Sequence, residues 1–64
     1  MYQILIDNRR SIGGALRSYY SVWRDGRLVQ LATRGSATPE QAFHAACFYM
    51  EPHAIASVTM PREE

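Results

Sequence analysis

Apolar and polar positions alternate along the opening "MYQILID", with Tyr2, Ile4 and Ile6 on one side and Gln3, Leu5 and Asp7 on the other. That period of two predicts a first strand over Met1–Asp7. "NRRSIGGA", residues 8–15, breaks the alternation with a turn-forming asparagine, two arginines and a Gly-Gly pair, and predicts an exposed, mobile connection. Alternation returns over Leu16–Arg24 and Arg27–Arg34, with Asp25-Gly26 between them. That dipeptide accepts the positive φ angles of a type I′ two-residue turn, so the two segments are expected to form a hairpin.

The turn also sets a register. A two-residue loop puts Arg24 opposite Arg27, Trp23 opposite Leu28, Val22 opposite Val29 and Tyr20 opposite Leu31. Tyr20, Val22, Val29 and Leu31 then form the core face. Arg17, Tyr19, Trp23, Leu28 and Arg34 fall on the opposite face, together with Ser21, Gln30 and Ala32. A one-residue bulge near Arg24 would reverse this assignment.

In "GSATPEQAFHAACFYMEP" the period changes to that of a helix. Thr38 is the expected N-cap, Pro39 takes the first helical position, Gln41 completes a capping box and Glu40 suits the helix dipole. Pro52 disfavours a helical Glu51, so the helix should end near Met50. Ala42, Phe43, Ala46, Cys47 and Met50 make a narrow, alanine-rich stripe, which lets the helix sit close to a sheet. Phe48 falls on the other side, an exposed aromatic. "HAIASVTMP", residues 53–61, sets Ala54, Ala56, Val58 and Met60 against Ile55, Ser57 and Thr59, and reads as a last strand. "REE" after it reads as a frayed tail.

The predicted order is therefore β-β-β-α-β. We expect an α+β fold of two layers, an antiparallel sheet with one helix on one face and the final strand beside the first. No repeat, linker or low-complexity tract appears, so residues 1–64 are read as a single domain. A single helix covers only one face, which leaves the face bearing Trp23 without a cover from this chain.

Size sharpens that point. A chain of 64 residues buries only about 60% of the surface its unfolded form exposes, and such scaffolds usually add disulfides, a metal or an oligomer partner. One cysteine excludes an intrachain disulfide. The lone thiol also suits a reducing compartment. No basic segment followed by an apolar one opens the sequence, and no apolar run is long enough to span a bilayer. The expected localisation is the cytoplasm, with no membrane partner.

The net charge of +1 conceals two opposed halves. Residues 1–34 hold six arginines against Asp7 and Asp25, a balance of +4, whereas residues 35–64 hold Arg62 against four glutamates, a balance of −3. Every cation is arginine, as coding bias in a GC-rich genome would produce. Guanidinium groups are also the preferred cations against carboxylates, phosphates and aromatic faces.

Little in the chain resembles catalytic machinery. His44 and Cys47 stand three apart on the helix and His53 follows, but a structural zinc site wants four ligands, usually with paired cysteines. Cys47 lies late in the helix, where nothing lowers a thiol pKa, and reads as a small core residue. There is no nucleophile elbow, and "IGGA" lacks the lysine and hydroxyl residue of a phosphate loop. The expectation is a non-enzymatic protein with no cofactor and no metal.

Binding is the better class. Trp, Tyr and Arg dominate interface hot spots, and Arg17, Tyr19, Trp23, Leu28 and Arg34 are expected together on the uncovered face, with Arg9 and Arg10 on the nearby loop. These seven residues are the candidate partner-binding set. A protein partner is the first reading and a homodimer seam the second; a plain cross-strand pair of Trp23 and Leu28 is the structural alternative. Stacking of unpaired bases on the same face ranks below these, because the net charge is nearly neutral and no RNP motif is present.

The stretch "VWRDGRLVQLATRGSATPEQAFHAA" is similar to the hairpin-then-helix segment of small phage-encoded anti-CRISPR proteins that inhibit type I surveillance complexes. The matching residues are Val22, Arg24, Asp25, Gly26, Val29, Gly35, Ser36, Pro39, Ala42 and Ala46. They cover under half the chain and are turn, cap and core positions, so no functional residue carries over. The likeness implies a phage inhibitor, acting in the host cytoplasm, that binds a Cas subunit and blocks recognition or cleavage of target DNA. Gly35, Thr38, Glu40 and Ala42 also resemble the helix start of HicB-type antitoxin domains, with one more residue between Gly35 and Thr38 and no appended DNA-binding element. A HicB-like antitoxin or a small nucleic-acid-binding domain is the alternative function.

Overall fold

The structure, a computed structural model, describes residues 1–48 and 50–61; the expected "REE" tail lies outside them. Four strands, one α-helix and a short 3₁₀ turn follow one another as β1 (Tyr2–Arg10), β2 (Leu16–Arg24), β3 (Arg27–Leu31), α1 (Pro39–Cys47), the turn Pro52–Ala54 and β4 (Ile55–Thr59). The sheet order is β3-β2-β1-β4, and α1 packs over β1 and β2. The α+β class, the single covering helix and the place of the last strand beside the first all follow the sequence pattern.

The direction of β4 does not. β4 runs parallel to β1, so the sheet is mixed rather than antiparallel. The cause lies in the connection. β3 is antiparallel to β2 and therefore runs with β1. The helix then carries the chain back across the face, so that β4 starts at the same end as β3.

β1 is also longer than the alternation suggested. Asn8, Arg9 and Arg10 pair with Ser18, Arg17 and Leu16, so the hairpin loop shrinks to residues 11–15. Gly14 has φ +86, which a residue with a Cβ rarely adopts, and its N–H donates to the Ser11 carbonyl at 2.9 Å. The extension has a buried reward: the Ser18 hydroxyl, on the helix side, donates to Asn8 Oδ1 at 2.6 Å, so a buried polar group is satisfied.

The Asp25-Gly26 turn forms as expected, with φ 53 and φ 77. Arg24 faces Arg27 and Trp23 faces Leu28, but the register then slips, pairing Val22 with Gln30 and Ser21 with Leu31. Val29 is the extra residue of a bulge. The correction is substantial, because Val29 and Leu31, expected in the core, are each 53% exposed. Gln30 takes the place on the core side and donates its side-chain N–H to the Tyr20 hydroxyl at 3.3 Å. β3 stops at Leu31, short of the expected Arg34. Two further contacts stitch the departing chain to β2, Ala32 N–H to the Tyr20 carbonyl at 3.0 Å and a reciprocal pair between Ser18 and Ser36 at 2.9 and 2.7 Å.

The helix begins where the sequence indicates. Thr38 is extended (φ −132, ψ 157) and its hydroxyl accepts the Gln41 N–H at 3.2 Å. The helix ends at Cys47 with Phe48 as C-cap, before the expected Met50. Ala42 and Ala46 are fully buried and Phe43, Cys47 and Met50 are partly buried against the same core, which also holds Ile4, Ile6, Tyr20 and Val22. Two alanines one turn apart bring the helix backbone close to the sheet, so a layer this thin has few voids to fill. A second slip, in β4, pairs Tyr2 with Ile55 but Gln3 with Ser57. Ile55 and Val58 therefore share the core side although the alternation had separated them. Among the described residues no helix is long and apolar enough to cross a membrane.

Candidate partner-binding face

β1 and β2 pair without interruption, so the strict alternation of β2 decides which side each residue faces. Ser18, Tyr20 and Val22 look to the helix; Arg17, Tyr19, Ser21 and Trp23 look the other way. Trp23 is half-buried, and its indole N–H donates to Ser21 Oγ at 2.9 Å. The indole thus lies along the sheet over Ser21, which is buried even though no element of the described residues covers that face. The bulge lies in β3 and leaves the side of Trp23 unchanged.

Around the indole the open face is mixed, with Gln3 opposite Trp23 on β1 and leucines on the remaining sides. Leu28 stands opposite Trp23 and is 45% exposed, Leu31 stands opposite Ser21, and Leu5 flanks Ser21 from β1. Toward the other end it carries Asp7, opposite Tyr19, and then two cations. Arg9 and Arg17 are direct cross-strand partners, and the Arg9 guanidinium lies 4.7 Å from the centroid of the Tyr19 ring, a cation–π contact. Neither arginine meets a carboxylate among the described residues.

Five of the seven residues singled out from sequence are therefore brought onto one surface: Arg9, Arg17, Tyr19, Trp23 and Leu28. Arg10 and Arg34 are not. Arg10 is the strand residue after Arg9, so it points to the helix side, where its guanidinium donates to the Gly14 carbonyl at 3.0 Å and braces the loop. Arg34 lies beyond β3 and lines a cleft with Tyr20 and His44. Leu5 and Leu31 belong to the open face and were missed. Leu5 was legible from alternation, whereas Leu31 was hidden by the bulge.

Two candidate chemistries have other settings. Among the described residues no group of three or more His, Cys, Asp or Glu side chains could hold a metal. Burial raises the Cys47 thiol above its ordinary pKa, the opposite of what a nucleophile needs.

Comparison with protein-family models, with curated proteins and with solved structures returned no match for this chain. The physical character of the open face is therefore what the functional reading rests on.

Proposed function

We propose that the chain is a non-enzymatic binding protein that docks its open sheet face on a protein subunit of a larger assembly and so occludes that subunit's own contact. One observation carries the reading: a half-buried tryptophan flanked by exposed leucines at one end, and two arginines without carboxylate partners at the other, share a face that no element of the described residues covers. Apolar anchors next to guanidinium groups are the composition of interface hot spots. The likeness of the hairpin and helix to type I anti-CRISPR proteins makes a Cas subunit of a phage's host the target of this proposal. A protein is favoured over a nucleic acid because Arg9 already occupies a face of Tyr19, the ring a base would otherwise stack on.

Gel filtration of the purified chain with a type I surveillance complex, with and without target DNA, tests this. Co-elution with the complex, loss of DNA binding and loss of both effects in Trp23→Ala are the expected results. A stable homodimer that buries Trp23 in the absence of any partner would overturn the reading in favour of self-association. Salt-sensitive binding of free RNA or DNA to the open face would overturn it in favour of a nucleic-acid-binding domain.

A further inference from the structure

The loop between β1 and β2 carries an apolar side chain out into solvent. Residues 11–14 form a β-turn closed by the Gly14 N–H on the Ser11 carbonyl at 2.9 Å, with Ile12 and Gly13 at its tip. Ile12 is fully exposed, so its side chain adds no burial to the fold. Small polar residues and glycine suit a turn tip far better, and the main-chain bond that closes this turn is one that serine in place of Ile12 would keep.

The tip is braced. The Ser11 N–H donates to the Ala15 carbonyl at 2.8 Å, and the Arg10 guanidinium donates to the Gly14 carbonyl at 3.0 Å. An anchor held in place before contact loses little conformational freedom on binding. At the base of the loop the exposed Leu16 pairs across the strands with Arg10, and Arg9 pairs with Arg17 one step further in. Residues 8–18 hold these three arginines and no carboxylate. The next acid along the strand pair, Asp7, stands opposite Tyr19, further from the tip. Arg10 lies on the helix side of the hairpin and Arg9 on the open side, so cations flank the tip on both faces.

We propose that Ile12 is an anchor that enters an apolar pocket with carboxylates at its rim, on the protein subunit where the chain docks. The inference rests on docking through the open face and extends that contact past the Arg9–Arg17 end to the hairpin tip. Charge complementarity selects the rim, because an excess of guanidinium groups around the tip steers it toward anions and away from cationic or neutral surfaces. An anionic bilayer is the poorer fit: even a single myristoyl chain binds a membrane only marginally, and the turn tip offers one isoleucine.

Isothermal titration calorimetry of the full chain against a type I surveillance complex tests the anchor with substitutions at the tip. Ile12→Ser should weaken binding about ten- to hundredfold, the equivalent of burying one branched apolar side chain. Ile12→Glu should weaken it about tenfold more than Ile12→Lys, since only the glutamate sets a carboxylate against the rim. All three variants should unfold at the parent's thermal midpoint, because the site is exposed. Binding by Ile12→Ser within about threefold of the parent's, while Trp23→Ala loses it, would overturn the anchor and leave docking through the open face standing. Equal losses in Ile12→Glu and Ile12→Lys would overturn the acidic rim. A parent chain that does not bind the complex would overturn both readings together. Sedimentation of the parent with phosphatidylserine vesicles, abolished in Ile12→Ser, would also overturn the proposal by assigning the tip to a lipid surface.

Discussion

Gly35 lies directly against Arg17: a Cβ built on the glycine would stand 2.5 Å from the Arg17 Cβ and 2.9 Å from Cζ of Tyr19. The contact fixes how the chain beyond β3 closes over the end of the sheet, because Ser36 must still reach Ser18. Gly35→Ala forces the two segments apart, because the nearest atom it would meet, the Arg17 Cβ, is fixed to its backbone and cannot swing away as the Tyr19 ring can. The expected cost is about 1–3 kcal/mol, the range for overpacking a close contact. Urea denaturation reads it as a lower midpoint with unchanged slope. A midpoint equal to the parent would show that the segment moves away freely.

Gly26 makes a contrasting case. It has φ +77 and nothing within 4 Å of a built Cβ, so its requirement is conformational, not steric. Gly26→Ala is expected to cost about 1 kcal/mol, and Asp25→Val, at φ 53, at least as much, because a β-branched residue tolerates that region poorly. Asp25→Asn should be near neutral. Thermal or urea midpoints of the three variants check the order, and an Asp25→Asn variant less stable than Asp25→Val would contradict it.

The bulge at Val29 shows what the sequence could and could not reveal. The Asp25-Gly26 turn, the Thr38 cap and the side of Trp23 were legible because each depends on local chemistry or on an unbroken strand pair. The slip after Leu28 was not, since an extra residue in an edge strand leaves the pattern of apolar residues intact while reassigning every side chain beyond it. For the same reason Leu31 reads as core and belongs to the open face. The extension of β1 through Arg9 and Arg10 was obscured by their charge, which an uncovered sheet face and a loop carbonyl both accommodate. The parallel course of β4 was implicit in the single crossing helix, not in any residue of the strand itself.

A pair of substitutions separates the two registers. On the expected register Val29 is core, and Val29→Ser would be severely destabilising. On the observed one Val29 is exposed, and the change should lie within about 0.5 kcal/mol of neutral. Ile4→Val, at a fully buried site, should cost about 0.5–1.5 kcal/mol. Equilibrium unfolding that ranks Val29→Ser as the worse of the two would restore the unbulged hairpin.

Cys47 should be a slow nucleophile. Burial raises its pKa, so less thiolate is present at neutral pH than in a free cysteine, and alkylation by iodoacetamide should trail that of an unstructured peptide. The same shift has a consequence for stability. A pKa higher in the folded than in the unfolded chain means that the contribution is complete below the unfolded value and is lost as pH rises through the folded one. Stability should therefore fall on the alkaline side, and Cys47→Ala should remove that part of the decline. Alkylation as fast as in the peptide would contradict the burial of the thiol.

The cross-strand pair of Arg9 and Arg17 provides a test in which fold and function move in opposite directions. Like charges directly opposite one another on a sheet are destabilising, and here neither arginine forms an ion pair with a carboxylate among the described residues, although Asp7 lies on the same face. Arg17→Glu replaces the repulsion with an attraction and keeps the Cβ and Cγ that Gly35 packs against. The isolated chain should become more stable by a few tenths of a kcal/mol, a gain that shrinks as salt is raised because both side chains are exposed. Docking through the open face should weaken at the same time, since one of its two unpaired cations has changed sign. Urea midpoints at low and high salt measure the first effect, and co-elution with the candidate assembly measures the second. A variant that gains stability and keeps its partner would show that the arginine pair serves something other than binding on this face; one that loses stability would show that the cross-strand repulsion is negligible.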